Sequence, residues 1–245
     1  MKFVFAAQTD IGKRRSINED AFLLCREKGL IAVADGIGGF EAGEVASRLA
    51  IEILDREIQK SSDSPAQSLT NAVLCANRVI LEYAWSCGLS GRMGTTLVAA
   101  IFHGEDVTFT SIGDSRIYCL RDGQIRQNSR DHTLMNDHLD LGLITAEDIP
   151  TYPYRHVITK SLGIDQNLSV SVQQEKIRNS DVWLMCTDGL TDMLNNGEIS
   201  ATLDKYRENP EEGCKSLIQF ANEKGGKDNI TAAIALVLNE NHVIY

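Results

Sequence analysis

"GLIAVADGIGG", residues 29–39, carries the decision about this chain. Leu30 to Ala34 are five apolar residues in a row, too few for a helix, and they lack the alternation of a strand with one wet face. Asp35 follows at once, and then three glycines at Gly36, Gly38 and Gly39. A tight turn would explain Asp-Gly by itself, since glycine accepts positive φ and aspartate bonds its own backbone. Chemistry that needs a carboxylate at the end of a buried strand, with open backbone beside it, would explain it equally.

The pattern recurs. "VTFTSIGD" ends an apolar-rich run at Gly113-Asp114, and "VWLMCTDG" ends another at Asp188-Gly189. "GGKDNITAAIALVL" runs in reverse, with Asp228 ahead of the strand, and "NED" sets Glu19 and Asp20 just before "AFLLC". Asp122-Gly123, between "SRIYCL" and "QIRQN", reads as an ordinary hairpin turn and receives no function. Five strand ends carrying carboxylates are another matter. Two such charges about 4 Å apart at an effective dielectric near 20 repel by roughly 4 kcal/mol. Hard cations seated among them would offset that, and ligands made only of oxygen suit Mg²⁺ or Mn²⁺. The residues by themselves imply a multinuclear site for these ions.

The rest of the chain supports a soluble, core-rich protein. It has 245 residues, 43% hydrophobic and 24% charged, with a formal charge of −10. An acidic surplus argues against a surface built to neutralise nucleic-acid phosphates or anionic lipid. Six cysteines show no paired short spacing, so neither a zinc knuckle nor a disulfide framework is expected, and a cytoplasmic location fits. "KFVFAA" is too short for a signal-peptide core, and no apolar run has the length of a membrane span. Two helices are expected after the opening strands. "EVASRLAIEILDREIQK" sets Val45, Leu49, Ile53 and Leu54 on one face, and "AQSLTNAVLCANRVILEYAW" does so with Leu69, Val73, Ala76 and Ile80. Ser64 before Pro65 reads as the N-cap of the second. Residues 131–163, less regular and holding three of the five histidines, read as a flap inserted into one domain spanning 1–245.

Eight stretches then carry a resemblance. "TDIGKRRSINEDA", "VADGIGG", "GRMGTT", "SIGDSRIY", "RDHT", "ITKSLG", "LMCTDGLTD" and "GGKDNIT" stand in the order seen in metal-dependent serine/threonine protein phosphatases of the 2C type, most like the compact bacterial branch. The resemblance implies an α+β fold: a central β-sandwich of two antiparallel sheets flanked by helical pairs, with metals in a cleft at one end. It also implies hydrolysis of phosphoserine and phosphothreonine in proteins by a metal-activated water, with two core Mn²⁺ or Mg²⁺ ions and a weaker third. Residue by residue, Asp35 would bridge the core ions, and the Gly36 carbonyl and Glu19 would serve one of them. Asp188 and Asp228 would complete the other, and Asp20 would hold coordinated water. Asp114, Asp188 and Asp192 would form the third site, and Arg15 would grip the substrate phosphate. A planar guanidinium suits that task, whereas Lys13 and Arg14 read as a solvated basic turn.

Departures from the family's pattern fall where some relatives carry a proton-donating histidine. Here those positions are Ile37 and Phe40, neither able to donate, and Lys160 stands in "ITKSLG" where arginine is commoner. His132 and His156 read as structural, which leaves the general acid unassigned, with coordinated water the first candidate. A non-enzymatic phosphoprotein-binding module of the same fold and a two-metal hydrolase such as a nuclease stay open as alternatives. Phosphorylated proteins are the expected partners, with an opposing serine/threonine kinase implied by the resemblance. A monomer is expected, with neither nucleic acid nor membrane as partner.

Overall fold

The computed structural model describes residues 1–39 and 42–239. Three strands open the chain, β1 (Lys2–Asp10), β2 (Asp20–Cys25) and β3 (Leu30–Ile37), followed by helices α1 (Ala42–Lys60) and α2 (Pro65–Ser86). Five strands come next: β4 (Gly94–Thr95), β5 (Leu97–His103), β6 (Asp106–Ile112), β7 (Arg116–Arg121) and β8 (Gln124–Gln127). Helix α3 (Leu134–Asp140) precedes β9 (Val172–Lys176) and β10 (Val182–Cys186). Helices α4 (Asp188–Thr191), α5 (Asn196–Lys205) and α6 (Pro210–Glu223) lead to the last strand, β11 (Ile230–Leu238).

The strands form two antiparallel sheets, one ordered β1-β11-β10-β7-β8 and the other β2-β3-β5-β6-β9, with β4 paired to β3. Alternation along each strand sorts side chains into three cores. Ile31 and Val33 join Trp183, Met185, Ala233 and Ala235 between the sheets. Leu30, Ala32 and Ala34 point the other way, into α1 and α2, while Val182, Leu184 and Cys186 face α5 and α6. A strand covered on both sides has no wet face, which is why its sequence is an unbroken apolar run. The layers are therefore helix, sheet, sheet, helix, as the resemblance implied.

The α2 face is the one expected: Leu69, Val73, Ala76 and Ile80 are fully buried, and the Ser64 side chain accepts from the Gln67 N–H at 3.4 Å. The α1 face includes Ile53 and Leu54 as expected, but its N-terminal half is centred one residue further on. Its centre is Ala46, Ala50, Ile53 and Leu54, while Val45 and Leu49 are only partly buried at its edge. Small side chains in the middle let the helix sit close on the sheet, and the branched ones close the flanks. Asp122 and Gly123 take φ of 51° and 75°, the paired positive values of a tight hairpin turn. Within residues 131–163 the structure adds a capped helix, α3, whose N-cap Thr133 accepts from Asn136 N–H. Among the described residues no helix is long and apolar enough to cross a membrane. All six cysteines are free, with Cys119, Cys186 and Cys214 buried as small apolar residues.

Candidate metal centre

Sheet register brings the carboxylates together. Asp20 and Asp35 are cross-strand partners on β2 and β3. In the other sheet Cys186 opposes Ala232, so Asp188, just past β10, comes level with the segment that enters β11 at Asp228. Asp114 follows the end of β6. The two sheets thus present these residues at one end of the sandwich, and Asp35 feels Asp20, Asp188, Asp114 and Asp228 electrostatically.

Close backbone approach makes this possible. A Cβ on Gly36 would collide with the carbonyl oxygen of Gly43, and one on Gly189 with that of Asn229. Only glycine lets the start of α1 touch the end of β3, and α4 touch the loop before β11. The Asp35 backbone is held on both sides: its N–H donates to Thr96 Oγ1 at 2.9 Å, and its carbonyl accepts from Thr95 Oγ1 at 2.8 Å. Thr96 Oγ1 is in turn 2.7 Å from Ser115 Oγ. Glu19 is fixed through its N–H, which donates to Asn229 Oδ1 at 2.8 Å, while Asn229 Nδ2 donates to the carbonyls of Ile11 and Ile17. Beneath the cluster, Asp20 Oδ2 accepts from Thr187 Oγ1 at 2.9 Å and Thr231 Oγ1 at 2.6 Å.

The electrostatics are those of charges held against their preference. Burial, with repulsion from Asp188 and Asp228 added, pushes Asp20 up to about 7, against the two threonine hydrogen bonds. Burial and the charge of Asp188 push Asp114 to about 7, and burial with Asp192 and Asp228 pushes Asp188 to about 6. Asp35 is raised well above the ordinary carboxylate range by burial first and its acidic neighbours second. Glu19 is raised by burial as well. Glu19 Oε1, Asp20 Oδ1 and Asp114 Oδ1 are buried without a hydrogen-bond partner in the protein. Partnerless carboxylate oxygens within a cluster of mutually repelling acids fit a site for hard divalent cations, which would satisfy them and offset the repulsion together.

Arg15 closes one side of the cluster, with Nη2 donating to Asp228 Oδ2 at 2.7 Å and Nη1 3.8 Å from Glu19 Oε2. On the other side lies a cleft of about 280 Å³, lined by Asp114, Asp188, Asp192, Arg116, Asp131 and His156 among others. One ligand atom each from His156, Asp188 and Asp192 lie within 4.8 Å of one another. Arg116 and Asp131, neither singled out from sequence, form a forked ion pair across this cleft, with Nη2 to Oδ2 at 2.7 Å and Nε to Oδ2 at 2.9 Å.

All nine residues singled out from sequence, from Arg15 to Asp228, thus lie at this one end of the molecule. The histidines divide. His132 Nδ1 accepts from the Gly113 N–H at 3.1 Å and its backbone N–H donates to the Gly113 carbonyl, so its ring braces the loop leading to Asp114. Burial, and then the charge of Lys160, keeps it below its ordinary pKa. His156 reaches the cleft, with Nδ1 3.9 Å from Asp192 Oδ2. Ile37 ends β3 opposite Gly94, and Phe40 lies outside the described residues. Lys160 Nζ donates to the carbonyl and hydroxyl of Ser169, away from the carboxylates. Sequence reasoning missed the threonines that hold Asp20 and Asp35. Their signal is position: Thr187, Thr231 and Thr96 each sit in a stretch already marked by an acidic residue or a glycine turn.

The chain is similar to known proteins over most of its length. Residues 12–217 match the family model described as protein phosphatase 2C. The chain is 34% identical over 235 residues to the serine/threonine phosphatase stp of Listeria innocua, covering 93% of each protein. It is similar to the crystal structure of the Mycobacterium tuberculosis serine/threonine phosphatase PstP/Ppp, with a TM-score of 0.89, 33% identity and coverage of 98% of this chain and 100% of that one. The catalytic domain of PstP in complex with two manganese ions gives a TM-score of 0.85 at 33% identity, covering 97% and 99%.

Proposed function

The chain belongs to the protein phosphatase 2C family and is a metal-dependent serine/threonine protein phosphatase, and we propose how its residues divide the work. Asp35, Glu19, Asp188 and Asp228, with the Gly36 carbonyl, would hold two core ions, and Asp114, Asp188 and Asp192 a third. The observation that carries this reading is the convergence of Asp35 with Asp20, Asp114, Asp188 and Asp228, beside which Glu19, Asp20 and Asp114 each keep one buried oxygen without a protein partner. Divalent ions bound there would neutralise a phosphate dianion and bring water to reactivity near neutral pH. Mn²⁺ and Mg²⁺ both suit oxygen ligands, and either would serve.

The chain's own groups do the positioning. Asp20, anchored through Oδ2 by Thr187 and Thr231, keeps Oδ1 free of any protein partner and would serve as a fixed acceptor for coordinated water. Arg15 supplies a positive, planar fork for phosphoryl oxygens at the mouth. Residues 131–163 act as a flap, since Thr133, Met135, Arg155 and His156 from that segment line the cleft. We read 1–245 as one phosphatase domain acting as a cytoplasmic monomer on phosphoproteins, opposite a serine/threonine kinase.

A panel assay tests the reading. With Mn²⁺, a phosphoserine peptide and an aryl phosphate should both be hydrolysed, and single-stranded DNA should not. Binding of phosphopeptide without turnover would establish a non-enzymatic module, and cleavage of DNA a nuclease.

A further inference from the structure

Arg15 stands against the carboxylate cluster, and its side chain is 47% exposed. Its Nη2 holds Asp228 Oδ2 at 2.7 Å, while the other oxygen, Oδ1, accepts from the Asn229 N–H at 2.8 Å. Glu19 and Asp35 add to the field that keeps the guanidinium in place. Among the described residues no other arginine or lysine pairs with Glu19, Asp20, Asp35, Asp114, Asp188 or Asp228. The group suited to grip a phosphate dianion therefore spends its charge on two of the carboxylates suited to hold the ions.

We propose that Arg15 is an internal counter-cation of the metal centre, in competition with divalent ions for Asp228, so that metal binding uncovers the charge that receives phosphate. This rests on the ligand roles proposed above for Asp228 and Glu19. Two physical points support it. A guanidinium paired with a carboxylate presents almost no net charge to an arriving dianion, whereas one whose partner has been drawn to a divalent ion presents its full charge. The pair is also half exposed, and exposed pairs are weak enough for a doubly charged ion to displace. Binding of metal and of phosphate are then linked through Arg15, and linkage is reciprocal: each strengthens the other.

The full chain, stripped with chelator, would be titrated with Mn²⁺ by calorimetry and by the resonance signal of free Mn²⁺, with and without inorganic phosphate. Arg15→Ala should bind Mn²⁺ roughly two- to fivefold more tightly than wild type, the size of an exposed ion pair removed from competition. Arg15→Lys, which keeps the charge without the fork, should fall between. Arg14→Ala removes the same charge one residue away and should leave the affinity unchanged. Phosphate should tighten Mn²⁺ binding more in wild type than in Arg15→Ala. Unchanged or weaker Mn²⁺ binding by Arg15→Ala would overturn the proposal, as would an equal gain in Arg14→Ala, which would reduce the effect to overall charge. Asp228→Asn separates the two levels: it should lose Mn²⁺ affinity, and if it does not, the ligand assignment itself fails whatever Arg15 does.

Discussion

Thr231→Val removes one hydroxyl beneath the metal centre and little else. Thr231 is fully buried on β11, and valine keeps its volume and its preference for strand. The hydroxyl donates to Asp20 Oδ2 at 2.6 Å, and it also meets Thr9 Oγ1 at 2.8 Å on the neighbouring strand. A hydrogen bond to an ionised, buried carboxylate contributes about 1.5–3 kcal/mol, and Thr187 remains as the second donor. With Mn²⁺ present at pH 7.5, Asp20 is held ionised and the full loss applies. For a chain of this length that is roughly 3–12 °C in melting temperature. In chelator at pH 5.5, below its pKa of about 7, Asp20 is mostly protonated and the loss should shrink to that of a neutral hydrogen bond, about 0.5–1.5 kcal/mol. Melting followed by circular dichroism under both conditions checks the difference. Equal melting temperatures of variant and wild type with metal at pH 7.5 would refute the role given to this hydroxyl.

Asp35→Asn and Asp228→Asn should each abolish turnover of an aryl phosphate with the far-ultraviolet spectrum unchanged, whereas Asp122→Asn, in a turn that suits asparagine, should keep it. Arg15→Ala should raise KM for a phosphopeptide and leave a measurable residual kcat, because the guanidinium grips phosphate in ground and transition states alike. Asp20, Asp114 and Asp188 keep protons in the folded protein that the unfolded chain has already released. Between pH 4 and 7 the folded state therefore binds more protons, so their contribution to stability falls as pH rises. Melting in chelator across that window should show this decline, and added Mn²⁺ should stabilise more at pH 7.5 than at pH 5.

β3 and β10 were legible because burial on both faces left unbroken apolar runs at Leu30–Ala34 and Val182–Cys186, each leading straight to a carboxylate, Asp35 or Asp188. β9 was not: "VQQEK" lies at a sheet edge, pairs among the described residues with β6 alone, and keeps several side chains in water. α5 did carry a signal, since Asn195 and Glu198 form a capping box, but ten residues with a weak apolar stripe do not announce a helix. On α1 the pattern finds Ile53 and Leu54 but passes over Ala46 and Ala50 for their larger neighbours Val45 and Leu49, because close packing against a sheet selects alanine. At the site, acidic residues stood out against apolar surroundings. The threonines did not, since threonine is common in any strand. Nor could a single sequence show that Arg15 meets Asp228, 213 positions away, or that Arg116 meets Asp131 across the cleft.

The most direct test of the account titrates Mn²⁺ into chelator-stripped protein while following bound metal and phosphoserine-peptide turnover in the same samples. Turnover should be absent at the start, rise as the carboxylate centre fills, and fail to appear in Asp35→Asn at any Mn²⁺ concentration. Full turnover in the stripped protein, or turnover in Asp35→Asn equal to wild type, would contradict the claim that this cluster is where the reaction happens.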